Sequence, residues 1–243
     1  MPENVVLLHG FSGTRHAWDG VAARLHPERY RPWALDLPGH GDAADWPAPI
    51  TFAGCVEHVL AHSPERFVLG GYSLGGRVAL HVALAAPRRV TRLVLVSTTA
   101  GIEDPAERAE RSASDHRLAD ELERGGWAGF DSFIERWRTQ PLFAAEPPEV
   151  GVLARQDQRR NRPQALAAAL RRIGSGEMTP MWGRLAELEL PVTVLVGDRD
   201  AKYLALGERM VELMPEADLL LVPGGHGLPL ENPEAVVRAI EGR

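Results

Sequence analysis

The stretch Gly71-Tyr72-Ser73-Leu74-Gly75 decides the fold of this chain. A G-x-S-x-G sequence places its serine on a sharp turn between a strand and a helix, and the glycines allow the close packing that this turn needs. The flanking residues supply both elements, because the apolar run Phe67-Val68-Leu69 precedes the turn and a helix-forming run, residues 76–80, follows it. The segment therefore predicts a reactive serine, Ser73, at the end of a buried strand.

Apolar runs alternate with helical segments along most of the chain. Uninterrupted apolar runs are typical of parallel strands that are buried on both faces, with helices between them. We expect five further strands, at residues 5–8, 33–36, 93–96, 192–196 and 219–222. The predicted fold class is α/β, with a mostly parallel, doubly wound sheet.

Residues 103–172 interrupt this alternation. They are charged and helical in pattern, contain no strand-like run, and are broken at Gly125-Gly126, at Pro147-Pro148 and at Pro163. We expect a helical cap inserted between two core strands, lying over the strand ends where α/β sheets bind ligands. Trp127 and Trp137 are expected on its inner face. The predicted core is then residues 1–102 and 173–243.

Composition fits one globular enzyme and excludes several other classes. The 243 residues are 44% hydrophobic, and no apolar run approaches the roughly 20 residues of a membrane span. The net charge of −6 disfavours nucleic-acid binding. Cys55 is the only cysteine, and a strand follows the first four residues directly, so we expect no disulfide, no signal peptide and a cytoplasmic location.

Two polar groups follow the last two predicted strands. Gly197-Asp198-Arg199-Asp200 follows the strand at 192–196, and Gly224-Gly225-His226 follows the final one. Hydrolases with a serine turn of this kind place the acid and then the histidine after the serine. We expect His226 to accept the Ser73 proton and Asp200 to fix the histidine tautomer. Asp198 is the competing acid, and we assign it to turn formation.

His9-Gly10-Phe11 closes the first strand beside the serine turn. The backbone N–H groups of Phe11 and Leu74 are expected to form an oxyanion hole, in which one donor can contribute about 2.7–4 kcal/mol to the transition state. His9 is expected to shape this loop. The sequence also places His58 and His62 four residues apart on a helix, but with no third ligand nearby we expect a solvated helix face and no metal site.

Further runs carry a resemblance to a known family. They are His9-Gly10-Phe11-Ser12-Gly13, Asp36-Leu37-Pro38-Gly39-His40-Gly41, Gly71 to Arg77, Glu107-Arg108-Ala109-Glu110-Arg111, Asp115, Trp137, Gln140-Pro141-Leu142-Phe143, Gly197 to Lys202, Gly225-His226 and Glu231-Asn232-Pro233. The chain resembles the α/β-hydrolase superfamily throughout its core. Within that superfamily it resembles the 2-succinyl-6-hydroxy-2,4-cyclohexadiene-1-carboxylate (SHCHC) synthases of menaquinone biosynthesis. The sharper marks are Arg77, the cap's Arg108 and Arg111, and Lys202.

The resemblance implies an α/β-hydrolase fold and a lyase that eliminates pyruvate, with the serine–histidine pair as base. It implies a small-molecule substrate that carries three carboxylates, and no metal or organic cofactor. The implied substrate-binding residues are Tyr72, Arg77, Arg111, Trp137 and Lys202. A further cap arginine of the family aligns with Gln158, so we expect Arg155 or Arg159 to replace it.

Two other functions remain open. A carboxylesterase or carbon–carbon bond hydrolase would use the same three residues, and only the arginines separate it from the lyase. A ligand-binding relative without activity is disfavoured, because serine, acid and histidine positions are all filled. We expect a monomer or a weak homo-oligomer.

Overall fold

The predicted sheet is present as six strands in the order β2-β1-β3-β4-β5-β6 in a computed structural model that describes residues 2–242. The strands are β1 (Glu3–Leu8), β2 (Tyr30–Leu35), β3 (Phe67–Tyr72), β4 (Val90–Val96), β5 (Val192–Gly197) and β6 (Ala217–Val222). Every adjacent pair is parallel. The carboxyl ends of all six strands therefore lie at one edge, and the predicted α/β class is confirmed.

Helices cover both faces of the sheet. They are α1 (Asp19–Ala22), α2 (Phe52–His62), α3 (Leu74–Ala85), α4 (Pro105–Arg138), α5 (Pro148–Gln158), α6 (Pro163–Ile173), α7 (Ala201–Leu213), α8 (Leu228–Glu231) and α9 (Pro233–Glu241). Strand β1 shows how the two faces form, because Val6 and Leu8 join the core under α2, α3 and α7, whereas Val5 and Leu7 join the core under α1 and α9. None of the helices in the described part of the chain combines the length and apolar character needed to cross a bilayer.

Helices α4, α5 and α6 follow one another between β4 and β5. Helix α4 is bent at Gly126, whose φ of 49° and ψ of −147° are not helical, where the sequence predicts a break. Trp137 is buried in an apolar cluster of α4 and α6 against which Phe11 of the core packs. The expectation for Trp127 is wrong, because this side chain lies just after the bend and is 63% exposed.

His58 is also placed differently from the prediction of a solvated helix face. Its ring is buried, and Nε2 lies 2.9 Å from the carbonyl oxygen of Asp36. The ring packs edge-on against Trp46, with 4.7 Å between the centroids. His58 therefore links α2 to the end of β2.

The single cysteine provides a test of core burial. Cys55 lies in α2 within the apolar core, and burial raises the pKa of its thiol to about 12 despite an opposite effect of the Arg77 charge. With about one thiol in 10⁴ ionised at pH 8, we expect almost no reaction with a thiol reagent in the folded protein. Stoichiometric labelling should appear in guanidinium chloride. Complete labelling of the native protein within minutes would contradict this placement.

Candidate active site

Ser73 lies on a strained turn between β3 and α3. Its φ of 52° and ψ of −108° fall in a region that non-glycine residues rarely adopt. The chain packs too closely here for side chains at Gly71 and Gly75, because a Cβ at Gly71 would lie 2.4 Å from the Gly75 carbonyl oxygen and one at Gly75 would lie 2.0 Å from that of Leu8. The glycines allow α3 to start directly against β1, with Ser73 at the strand edge.

His226 and Asp200 meet Ser73 at this edge. His226 Nε2 lies 3.3 Å from Ser73 Oγ, and His226 Nδ1 lies 2.7 Å from Asp200 Oδ2. Both the imidazole and the carboxylate are buried. If Nδ1–H donates to Asp200, Nε2 presents its lone pair to the serine hydroxyl, which is the arrangement that a general base needs.

Neighbouring carboxylates hold the loops that carry this pair. Asp198 accepts a 3.0 Å hydrogen bond from the Gly224 amide, so it stabilises the turn and does not contact the histidine ring. Glu231 accepts a 2.7 Å bond from the Gly225 amide and forms an ion pair with Arg199. The Asp198 contact joins the loop after β5 to the loop after β6, and Glu231 links both loops to α8.

The two amides expected at the oxyanion hole belong to the start of α3 and to the turn after β1. Leu74 is the first residue of α3, where an N–H group has no partner within the helix. Phe11 lies in a turn that the Gly13 amide closes onto the Gly10 carbonyl at 3.1 Å. His9 supports this turn, since Nε2 accepts a 3.0 Å bond from the Leu37 amide and Nδ1 lies 2.8 Å from the Gly10 carbonyl. His9 is thus a neutral imidazole that holds the loop.

A cavity opens onto Ser73, and we call it the serine chamber. Its polar lining groups include Arg77 and Arg111, as the sequence predicts, and Thr98, Thr99, Gln140 and Tyr203, which sequence reasoning missed. The Tyr203 ring lies 4.5 Å from the His226 ring, and burial raises the pKa of its hydroxyl. Its position three residues after Asp200, on the first turn of α7, is the signal that could have identified it.

Arg77 is a buried cation in the serine chamber. Its guanidinium donates a 3.0 Å hydrogen bond to the Ile173 carbonyl, and no carboxylate forms an ion pair with it within the described chain. Burial lowers the pKa of Arg77 to about 10, so the group still carries its charge at neutral pH. An unpaired cation in a buried cavity is costly, which points to an anionic ligand as its partner.

Arg111 lies at the cap side of the same chamber. Its Nε donates a 2.9 Å hydrogen bond to Oδ1 of Asp115, one turn further along α4, and the Asp115 side chain is buried. This bond orients the guanidinium and leaves its two terminal nitrogens for other acceptors. The chamber is therefore lined by two arginines, and the buried Asp115 that binds the second of them lies behind the lining.

A second cavity lies beside the first, and we call it the cap chamber. Phe11 and Trp137 line both cavities, and their rings lie 5.0 Å apart, so this aromatic pair separates them. Tyr72, predicted as a pocket wall, lines the cap chamber, which also contains a buried ion pair between Arg138 and Glu146. Sequence reasoning missed this pair; burial lowers the pKa of Arg138 to about 10.

Three predicted binding residues lie away from both cavities. Arg155 binds Glu135 at 2.9 Å and Arg159 binds Asp131 at 2.7 Å, both in ion pairs on the outer surface of the cap. Lys202 is exposed on α7. The expectation that Arg155 or Arg159 fills the position of Gln158 is therefore corrected: Gln158 itself lines the cap chamber, and ion pairs with Glu135 and Asp131 of α4 hold the two arginines away from it.

No group of three or more potential metal ligands occurs among residues 2–242. The side chains and amides proposed for this edge are a serine, a histidine base, two amide donors and buried arginines. Together they can abstract a proton or attack a carbonyl next to a bound carboxylate.

Comparisons with known proteins identify the family of the chain. A sequence model of the alpha/beta hydrolase family matches residues 5–239. The chain belongs to the alpha/beta hydrolase family.

Its relatives within the family narrow the class further. The chain is 32% identical to 2-succinyl-6-hydroxy-2,4-cyclohexadiene-1-carboxylate synthase from Klebsiella pneumoniae subsp. pneumoniae, over 97% of this chain and 91% of the relative. MenH from S. aureus is 30% identical and superposes with a TM-score of 0.90 over 99% of this chain and 92% of that one. A thermophilic esterase from Thermogutta terrifontis, solved with malate bound, is 29% identical with a TM-score of 0.81 over 100% and 89% of the two chains. The resemblance to SHCHC synthases is confirmed.

The tight serine turn predicts a large stability difference between two glycine substitutions. In Gly75→Ala the new methyl group would meet the Leu8 carbonyl, and we expect the free energy of unfolding to fall by about 3 kcal/mol. Gly129→Ala, in α4 with no atom within 4 Å of the new Cβ, should instead raise it by about 0.5–1 kcal/mol. Denaturant unfolding followed by circular dichroism measures both. Equal stabilities would show that the turn is not packed as described.

Proposed function

We propose that this chain eliminates pyruvate from 2-succinyl-5-enolpyruvyl-6-hydroxy-3-cyclohexene-1-carboxylate to give SHCHC. The observation that carries the proposal is the buried Arg77, unpaired with any carboxylate, in the same chamber as Ser73. A simple ester gives such a cation no partner, whereas a substrate with three carboxylates does. The names of the relatives support the same reaction.

The proposed reaction begins with two proton transfers. His226 Nε2 takes the proton of Ser73, and the serine oxygen takes the ring proton next to the succinyl ketone. Asp200 stabilises the imidazolium that forms, through its bond to Nδ1. The electron pair left on carbon spreads onto the ketone oxygen, where the Phe11 and Leu74 amides stabilise the negative charge.

Elimination then follows through the ring. The electron pair returns to form a double bond, the existing ring double bond moves by one position, and the bond from the ring to the enolpyruvyl oxygen breaks. The enolpyruvate that leaves takes up a proton on carbon and becomes pyruvate, and the proton released by the His226 imidazolium balances this step and restores the neutral histidine. No oxidant, metal or external nucleophile enters this balance, so the serine–histidine pair and the two amides suffice.

The arginines bind the carboxylates in this proposal. Arg77 and Arg111 hold the acid groups nearest to Ser73, because both line the serine chamber. Trp137 and Tyr72 form walls, and the cap chamber beyond Trp137 receives the rest of the substrate. In this proposal residues 103–172 form the cap, which contributes to substrate specificity and covers the active site.

Esterase activity is the second candidate function. The similarity to an esterase solved with malate bound favours it, since a dicarboxylate was held in that protein too. An ester would be attacked by Ser73 directly, with the same histidine and the same two amides. Dependence on Arg77 separates the two functions, because an uncharged ester makes no use of its charge.

We place the protein in the cytoplasm, supported by its single cysteine, and propose that it acts as a monomer or a weak homo-oligomer on a small polycarboxylate. Neither a nucleic acid nor a membrane is a partner in this proposal, in line with the net charge of −6. Size-exclusion chromatography with light scattering at micromolar concentration tests the oligomeric state.

Replacing Arg77 tests the proposed function. A charge-assisted hydrogen bond contributes about 1.5–3 kcal/mol, so Arg77→Met should raise KM for pyruvate release about 10- to 100-fold. The melting temperature should not fall, because the variant also removes a buried charge without a carboxylate partner. Initial rates are measured by coupling pyruvate to lactate dehydrogenase.

Arg155→Met and Arg159→Met are the matched controls, since both arginines form ion pairs on the cap surface. Each should leave kcat and KM within about two-fold of the native values, as exposed pairs contribute little. Two results together would favour the esterase over the lyase. The native protein would release no detectable pyruvate but rapidly hydrolyse an aryl ester, and Arg77→Met would leave that hydrolysis unchanged.

A further inference from the structure

The turn that carries Phe11 is strained at Ser12. Residues 10–13 form a tight turn, and Ser12 has a φ of 63°, which is favourable for glycine and unfavourable for serine. Serine in this conformation requires contacts from the surrounding structure to hold it. The position of the Phe11 amide, the first proposed oxyanion donor, depends on those contacts.

Three cap side chains supply them. The Asn161 amide nitrogen donates a 2.7 Å hydrogen bond to the Ser12 carbonyl, and the Gln158 amide nitrogen donates a 2.8 Å bond to Ser12 Oγ. Asp157 accepts a 2.8 Å bond from the Thr14 amide and a second bond from the Thr14 hydroxyl. Each polar group of the turn that faces the cap is thus bound by the end of α5 or the residues after it.

These contacts are buried and do not extend to the solvent. Asp157, Gln158 and Asn161 are all at least nine-tenths buried. Asn161 also accepts a 2.9 Å hydrogen bond from the Gly41 amide, in the loop after β2. The cap is therefore joined to two core loops through one short segment, and the only charged side chain of that segment in contact with the turn is Asp157.

We propose that Asp157, Gln158 and Asn161 are positioning residues that hold the Phe11 amide in the oxyanion hole, so that the hole is complete only when the cap is docked on the core. None of the three contacts Ser73, His226 or Asp200 in the structure. The proposal rests on the oxyanion hole of the proposed function, but not on pyruvate elimination, because ester hydrolysis would use the same hole.

An oxyanion donor acts mainly in the transition state, so its displacement lowers kcat and leaves substrate binding nearly unchanged. Removing a donor altogether costs about 10²–10³ in kcat; for a displaced donor we expect a fall of about 10- to 100-fold with KM within about two-fold. The two variants that release the turn are Asp157→Leu and Asn161→Asp. The second retains the bond from Gly41 but places a carboxylate oxygen against the Ser12 carbonyl.

Asp157→Asn is the conservative rescue. Its oxygen can accept from the Thr14 amide while its nitrogen donates to the Thr14 hydroxyl oxygen, so both bonds re-form without the charge. We expect its kcat within about three-fold of the native value. Asp131→Asn is the matched control, because this cap carboxylate binds Arg159 at the surface and makes no contact with the turn.

The kinetics are measured on pyruvate release and on p-nitrophenyl acetate hydrolysis, with thermal unfolding to confirm that each variant is folded. A lower kcat of Asp157→Leu and Asn161→Asp in both reactions, with kcat restored in Asp157→Asn, supports the proposal. If the native protein hydrolyses the ester but releases no pyruvate, the lyase function is wrong, and the ester reaction still tests the positioning role.

Hydrogen exchange at the amides of residues 9–14 gives a readout that needs no activity. Faster exchange there in Asp157→Leu and Asn161→Asp, with the rest of the sheet unchanged, is the expected result. Native kcat in both variants, or native exchange rates across residues 9–14, would overturn the proposal.

Discussion

The close approach of α3 to β1 is the constraint on which the rest of the site depends. Only because Gly75 has no side chain can the start of α3 lie against the Leu8 carbonyl, and this contact holds Ser73 at a positive φ. The Thr98 hydroxyl adds a 2.7 Å hydrogen bond to the Ser73 carbonyl. Ser73 is thereby held at the strand edge, where the loops after β5 and β6 supply acid and histidine. A strained backbone at the reactive residue is stable here because several close-packed elements determine it together.

The two chambers differ in whether their buried arginine has a carboxylate partner. In the cap chamber Arg138 is neutralised by Glu146, whereas in the serine chamber Arg77 has only a carbonyl acceptor. Burying such a cation lowers stability, as its depressed pKa reflects, unless a ligand supplies the negative charge. The protein thus retains a destabilising buried cation beside Ser73, and a bound carboxylate substrate would offset the free-energy cost of burying it. In the proposed function it is therefore the arginine, and not the serine–histidine pair shared with esterases, that carries the choice of reaction.

Most of the core could be predicted from the sequence because its signals are local. Apolar runs indicate buried parallel strands, the two glycines around Ser73 indicate the tight turn, and chain order points to Asp200 and His226. The cap could not be predicted in the same way, since its side-chain directions depend on how α4, α5 and α6 dock. Arg155 and Arg159 therefore lie outside the site, and Arg138 lines the cap chamber without a sequence pattern that marks it. The bonds of Asp157 and Asn161 to the turn join residues more than 140 positions apart, a separation at which a single sequence carries no signal.

The central claim is that Ser73, activated by His226, acts as a base for pyruvate elimination. The most direct measurement is the rate of pyruvate release from 2-succinyl-5-enolpyruvyl-6-hydroxy-3-cyclohexene-1-carboxylate by the native protein and by Ser73→Ala. The account predicts rapid release by the native protein and a loss of at least about 10³-fold in a folded Ser73→Ala variant. Release that persists at the native rate in Ser73→Ala, or that is absent from a folded native protein, would contradict it.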